Sequence, residues 1–529
     1  MNKEILINAG AGEVRVAVVE DGRLQELFFE QTIGMEDGAL RRRSGSSGSH
    51  GLIGNIILGR VQRVLPGVQA AFVDIGLDRS GFLGAREARC LADLPGFHAP
   101  ARAAPPSGDD PTPGLICGEE RAPRIGECVH EGEEIVVQVV KDPIGEKGAR
   151  LSANISLPGR LLVLVPNQQG VALSRRIDDE AERARLTALC AQMLAEDRGG
   201  FAAGAGYIVR SVAIGAELPE LRDDAERLAE TWLAVSARRK SARAPATLHQ
   251  ELGPVERAMR DEVDGATTRV IIDDAEALEA ARAYCRRTTP GHEGKLEAFA
   301  GPGLLFDLYD VEEEIEQLLS PRLPLASGGW ITIESTEALT AIDVDSGSFI
   351  ESTGLEETSL RVNLEAAEEI GRQLRLRGIG GLIVIDFIHV SAPANAEILM
   401  AALEESLARD RTPAQILPMS EFGLVEITRK RTRDPLARMM TENCHTCRGR
   451  GRLRSCASVA MEILRRVERE ALHVPGRPIL VRASLEVVEW MQAHDTGLRR
   501  ALARRCAPRV SFEPRPEFTR DGFDVIAQH

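Results

Sequence analysis

Ala338-Leu339-Thr340-Ala341-Ile342-Asp343-Val344-Asp345 is an apolar run with two carboxylates two positions apart, and Gly381-Leu382-Ile383-Val384-Ile385-Asp386-Phe387-Ile388 is a second apolar run with one. Residues i and i+2 of a strand share a face, so Asp343 and Asp345 point the same way. The second run is too continuous for a half-exposed strand and reads as a buried one. Between them, Leu360, Leu364, Ala367, Gly371 and Leu374 form one stripe of an amphipathic helix that stops near Gly378. A strand–helix–strand unit predicts two parallel strands lying close in one sheet.

A carboxylate inside Leu-Ile-Val-Ile-Asp-Phe-Ile is costly unless it is paired or metal-bound. Open α/β sheets place their sites at the carboxyl ends of strands, where Asp343, Asp345 and Asp386 would converge. A small cluster of hard oxygen ligands suits Mg²⁺ or Mn²⁺ and, with them, phosphate chemistry. The plainer alternative is that each Asp caps a strand end or binds a neighbouring Arg.

The 529 residues imply several domains, of a composition ordinary for soluble globular proteins. No run of about 18 apolar residues and no signal-peptide core is present, so a cytoplasmic protein is expected. Nine cysteines, odd in number and mostly scattered, fit a reducing compartment. A formal charge of −15 argues against a uniformly basic nucleic-acid binder. It leaves room for local basic clusters such as Arg41 to Arg43, Arg175-Arg176 and Arg429-Lys430-Arg431.

Residues 3–29 read as a β-hairpin turning at Asp21-Gly22, and 36–50, rich in Gly, Ser and Arg, as a flexible connection. Short strands follow at Ile56–Val64, Val68–Ile75, Gly81–Leu83, Glu133–Val140 and Lys147–Leu151. They are interrupted by a Pro-rich stretch, 93–124, that reads as a disordered insertion. Five short strands with Gly turns point to an OB-type barrel, a common platform for single-stranded nucleic acid. Phe72 and Phe82 are candidate stacking residues, and Lys141 and Lys147 candidate phosphate contacts. Two core phenylalanines and two surface lysines are the plainer alternative. Further on, helices are expected at 178–196, 217–243, 274–285 and 310–319, and strands at 161–165, 207–210, 268–272 and 425–428.

Cys444-His445-Thr446-Cys447 supplies two thiolates on one knuckle, half of a tetrahedral zinc site. The other half would come from Cys456 and His445, or more cleanly from a second copy of the chain. A redox dithiol is disfavoured because no thioredoxin-like βαβ pattern surrounds the motif.

Ser335 to Asp343, Asn363-Leu364-Glu365-Ala366-Ala367, Arg372 to Arg377 and Gly381 to Ile388 resemble the catalytic core of the ribonuclease E/G family. The resemblance runs more loosely from about residue 3 to 455, and Gly423 to Arg433 is closer to the ribonuclease G branch. It implies a multidomain α/β protein. An RNase H-like domain (1–35 and 254–318) is interrupted by an S1/OB-fold barrel (51–153) and a 5′-sensor region (154–253). A DNase I-like catalytic domain (319–438), a zinc link (439–455) and a small C-terminal dimerisation domain (456–529) follow.

The resemblance also implies Mg²⁺-dependent endonucleolytic cleavage of single-stranded RNA to 5′-phosphate and 3′-hydroxyl ends, in rRNA and tRNA processing and mRNA decay. Structural Zn²⁺ shared between subunits would build a homodimer or homotetramer. Residue by residue, Asp343 and Asp386 fall on the Mg²⁺-binding aspartates, and Cys444 and Cys447 on the zinc-link cysteines. Phe72, Phe82, Lys141 and Lys147 fall on RNA-holding residues, and Gly159, Val163, Arg175, Arg210 and Ser211 on the 5′-phosphate pocket. Asp345 stands where the family usually has an Asn that helps position the scissile phosphate. Ser211 replaces a Thr, and Pro413 replaces a basic residue supporting the pocket. The alternative function is an RNA-binding family member with weakened or lost cleavage.

Overall fold

The computed structural model describes residues 2–31, 51–88, 124–143, 147–196, 205–347, 355–447, 449–494, 497 and 509–528. The expected connection at 36–50 and all but Arg124 of the expected insertion lie outside the described residues. Two compact units divide the chain, Met1–Leu436 and Ala437–His529.

Asp21 (φ 48°) and Gly22 (φ 80°) both take positive φ, the geometry of a tight two-residue hairpin. They join β2 (Glu13–Glu20) to β3 (Arg23–Gln31), and β1 (Lys3–Ala9) pairs with β2, so the expected hairpin is a three-stranded meander.

The barrel consists of β4 (Ile56–Leu65), β5 (Ala70–Asp74), β6 (Gly81–Gly84), β7 (Glu134–Lys141) and β8 (Arg150–Ser152). They pair in the order β4-β5-β6-β8-β7 and close through β4–β7, giving an OB-like cylinder. Val68 belongs to a 3₁₀ turn, Pro66–Val68, because the proline starts a turn rather than a ladder. Ile57, Val61, Val73, Leu83, Val137 and Leu151 fill the interior. Gly59 permits the closure: a Cβ there would lie 2.5 Å from Val73 Cγ1 and 2.9 Å from the Asp74 carbonyl oxygen.

Next, β9 (Leu157–Pro158), β10 (Leu162–Val165), β11 (Gly170–Leu173) and β12 (Gly206–Val209) form a sheet ordered β11-β12-β10-β9. Helices Glu180–Glu196 and Leu218–Ser241 pack on it around Leu162, Leu186, Tyr207 and Leu221. The chain then adds β13 (Ala246–His249) beside β4 and returns to the first sheet with β14 (Thr267–Ile272) and β15 (Leu296–Ala298).

The sheet of greatest interest is ordered β16-β17-β18-β19-β21-β20. Its strands are β16 (Arg322–Pro324), β17 (Trp330–Ser335), β18 (Leu339–Asp345), β19 (Gly381–Asp386), β20 (Ala414–Ile416) and β21 (Leu424–Arg429). β18 and β19 are parallel, joined by helix Leu355–Leu376, as the strand–helix–strand reading requires. Gly378 (φ 64°) ends that helix in a Schellman motif, with Ile379 N–H donating to the Leu374 carbonyl at 3.1 Å.

Two details differ from expectation. The helix buries Val362, Ala366, Ile370 and Leu374 completely, whereas Leu360 and Leu364 are half-buried. β19 is not buried on both faces: Ile383 and Ile385 are inside, but Leu382 and Asp386 are exposed. Helices Leu355–Leu376 and Pro393–Ala408 cover only one side of the sheet. The other side is open, and the apolar run hid the alternation because Leu382 and Val384 occupy exposed-face positions.

In the second unit, β22 (Ile479–Ala483), β23 (Val510–Pro514) and β24 (Phe523–Ala527) are ordered β23-β22-β24. Helices Cys456–His473 and Leu485–Ala493 pack through Val459, Ile463, Val467, Val488 and Met491. β22 and β23 are parallel with a helix between, so a βαβ unit does follow the cysteine motif, contrary to expectation. Prolines at 478, 508 and 514 flank or end its short strands and concealed it.

Candidate active site

Asp343 of β18 pairs directly with Asp386 of β19, near the carboxyl ends of two parallel strands. Both side chains stand on the open face, and neither accepts a hydrogen bond from a described residue. Partial burial first, then the charges of Asp386, Asp345 and Glu334, push the Asp343 carboxyl above its ordinary pKa. Like charges directly opposite on a sheet destabilise it. An arrangement that concentrates them calls for a cation.

Asp345 behaves differently. Its Oδ1 accepts the Gly347 N–H at 2.8 Å, so it caps the turn leaving β18. The plainer alternative therefore describes this residue. Among the described residues no group of three or more His, Cys, Asp or Glu is placed to hold a metal ion together. Two carboxylates nonetheless fit Mg²⁺, which is often held by one or two carboxylates, substrate phosphate and water.

On the barrel, Phe72 and Phe82 are neither core nor isolated. They are cross-strand partners, half-exposed, with ring centroids 6.1 Å apart at 80°. The row continues from Arg63 through Phe72 and Phe82 to Arg150 and Lys141. Arg63, Arg150, Lys141 and Lys147 are exposed. Arg63 and Arg150 escaped the sequence reading. The signal was their place on the polar positions of strands facing the two phenylalanines.

Gly159, Val163, Arg210 and Ser211 meet at one end of the β9–β12 sheet. The Arg210 N–H bonds the Leu161 carbonyl at 2.8 Å, and its guanidinium reaches the Gly159 carbonyl at 2.6 Å and Asp261 Oδ1 at 2.8 Å. Val163 is half-buried on β10. A Cβ on Gly159 would strike Asp224, whose carboxylate accepts the Leu161 and Leu162 N–H groups at 2.9 Å. Arg175 is exposed just after β11, where Ser174 N–H bonds the Val209 carbonyl. Beside them a cavity of about 450 Å³ is lined by Ser211, Arg160 and Arg411 among others. Sequence does not single out Arg160 as a pocket residue, whereas Arg411, two residues before Pro413, is a candidate for that place and does line the cavity.

In the second unit, Cys444 lies exposed immediately before the turn that holds Cys447. Hydrogen bonds from the Cys447 and Thr446 backbone hold its thiol below the usual cysteine range, favouring the thiolate that binds metal. Neither Cys444 nor Cys447 lies on a helix, unlike a redox pair that draws on a helix N-terminus.

A closed OB-like barrel with an aromatic and basic row, and an open sheet face with paired carboxylates, define a multidomain α/β protein of nucleic-acid enzyme type. Residues 156–432 match the model of the Ribonuclease E/G family, and 443–528 match the model described as RNase E/G, Thioredoxin-like domain. The chain is 35% identical over 530 residues to ribonuclease G of Escherichia coli (strain K12), covering 99% of this chain and 100% of the relative. Ribonuclease G of Haemophilus influenzae is 34% identical over 99% of each chain. Ribonuclease E of Escherichia coli is 35% identical over 511 residues, 94% of this chain but 44% of that protein. The chain belongs to the ribonuclease E/G family. None of its described helices is long and apolar enough to cross a membrane.

Proposed function

We propose that the chain is an endoribonuclease of the ribonuclease G type, a hydrolase that cuts single-stranded RNA to 5′-phosphate and 3′-hydroxyl ends. The observation that carries this is the Asp343–Asp386 pair, set on an open sheet face within the region matching the family model. Those two carboxylates would hold Mg²⁺. When bound, the ion neutralises phosphate charge and makes a nucleophile available from water at neutral pH.

The chain's own groups do the rest. Phe72 and Phe82 stack bases, while Lys141 and Lys147, with Arg63 and Arg150, hold phosphates along the barrel. Gly159, Val163, Arg175, Arg210 and Ser211 receive the RNA 5′ end. On this reading the first sheet is the RNase H-like domain and residues 154–253 are the 5′ sensor. Residues 319–438 are the DNase I-like catalytic domain. Cys444 and Cys447 of one chain, with the same pair of a partner subunit, share one Zn²⁺ in a homodimer or homotetramer. Cytoplasmic rRNA and tRNA processing and mRNA decay fit such an enzyme.

The second reading is an RNA-binding protein with weak cleavage, favoured by Asp345, which adds a third carboxylate near the pair. The test is Mg²⁺-dependent cleavage of end-labelled single-stranded RNA. Binding without cleavage would select the second reading.

A further inference from the structure

One cross-strand row of the open sheet contains more than the two carboxylates. Arg322 of β16 pairs with Thr332, Thr332 with Asp343, and Asp343 with Asp386. Directly paired residues share a face, so Arg322 projects from the open side. It lies two strands from Asp343, roughly 10 Å at the usual strand spacing.

The guanidinium does not hang free in solvent. Its Cζ sits 3.6 Å from the centroid of the Trp330 ring, one diagonal step across the ladder. Trp330 in turn pairs with Asp345, so the indole is anchored beside the acidic group. Arg322 makes no side-chain hydrogen bond or ion pair with a described residue. A guanidinium laid flat on an indole keeps its N–H donors at its edge, in the plane that suits two phosphate oxygens.

The charge of the face gives this placement its meaning. Its strands present Glu334, Asp343, Asp345, Asp386 and Glu426 outward, which repels a polyanion. Among the described residues of those strands, Arg322 is the one basic side chain on the open side.

We propose that Arg322, held flat by Trp330, is a substrate-positioning residue that grips a backbone phosphate of the RNA flanking the bond to be cut. This rests on the endoribonuclease reading above and assigns a further contact to that same face. Ion-pairing to RNA releases counterions, so the contact is readable in salt dependence.

The test uses the full-length chain and one short single-stranded oligoribonucleotide. Wild-type protein is assayed for Mg²⁺-dependent cleavage. Asp343→Asn protein, with and without Arg322→Ala, Arg322→Lys or Trp330→Leu, is titrated with the RNA across a salt series. Arg322→Ala should weaken binding about tenfold. It should also reduce the slope of log affinity against log salt by about 0.7, the worth of one single-strand phosphate. Arg322→Lys should recover the slope but only part of the affinity, because the flat fork is lost. Trp330→Leu should lose less than Arg322→Ala. Unchanged affinity and slope in Arg322→Ala, with wild-type cleavage normal, overturn this proposal and leave the enzyme reading standing. Absence of both cleavage and RNA binding in wild type overturns the two together.

Discussion

Asp343 and Asp386 are direct partners in the parallel ladder of β18 and β19, two exposed carboxylates facing one another with no donor from a described residue. Folding gains nothing from that pairing, since like charges opposite each other cost stability. Asp343→Asn and Asp386→Asn should therefore leave the thermal midpoint unchanged or raised while cutting cleavage by orders of magnitude. RNA binding by the barrel should survive. Denaturation curves beside cleavage assays decide it, and loss of folding in both variants would make the pair structural.

Asp345 separates turn geometry from charge. Asn keeps an oxygen for the Gly347 N–H, so Asp345→Asn should preserve the turn leaving β18. It also removes a carboxylate that repels the phosphate diester and raises the Asp343 pKa. Cleavage should rise. An unchanged or lower rate would count against this account of Asp345.

One Cys-x-x-Cys per chain provides two zinc ligands, so two chains should share one ion. Metal analysis should find about half a zinc per chain, and Cys444→Ser should give monomers with lower activity. Chelation should do the same reversibly. One zinc per chain would instead implicate Cys456 or His445.

Glu182 ties the turn containing Ser211 to helix Glu180–Glu196. Its carboxylate binds Arg185 at 2.7 Å and accepts the Gly215 N–H at 2.8 Å, which lowers its pKa from 4.5 to about 2. For a depressed carboxylate, the stabilisation is complete above about 4.5 and is lost as pH falls through about 2. The Gly215 amide shift in an NMR titration should follow a midpoint near 2. A midpoint near 4.5 would show the tie to be absent.

The legibility of this molecule varied with the physical signal. Periodicity placed β18, β19 and the helix between them, because a buried helix stripe and two apolar runs are strong patterns. It misjudged the exposure of Asp386, since Leu382 and Val384 lie on the open face and look like core. The short strands β9, β11 and β15 have too few residues to show a period. The importance of Arg322 and Arg150 was illegible for another reason. Each acquires a role only through a neighbour across the ladder that periodicity does not reveal, Trp330 stacked on Arg322 and Phe82 paired with Arg150.

The proposed 5′-end pocket is built around Arg210 and Ser211. Arg210 is fixed by the Gly159 carbonyl and Asp261, and Ser211 opens onto the cavity that Arg160 and Arg411 also line. Pro413 cannot donate a hydrogen bond there. Arg411, two residues earlier, does reach the region: it bonds Glu262 Oε1 at 2.6 Å and the Asp261 carbonyl at 3.0 Å. The Glu262 carboxylate and the Asp261 carbonyl already occupy part of its guanidinium, so it replaces the missing base only in part. A hydrogen bond lost to a charged group is worth about 1.5–3 kcal/mol, roughly ten- to a hundredfold in preference. Stimulation by a 5′-monophosphate should thus persist but be weak. Arg411→Ala should weaken it further, and Arg210→Ala should abolish it. The measurement is the initial cleavage rate of one RNA bearing a 5′-monophosphate, 5′-hydroxyl or 5′-triphosphate. Wild-type stimulation well above a hundredfold would show that the pocket needs no basic residue at position 413.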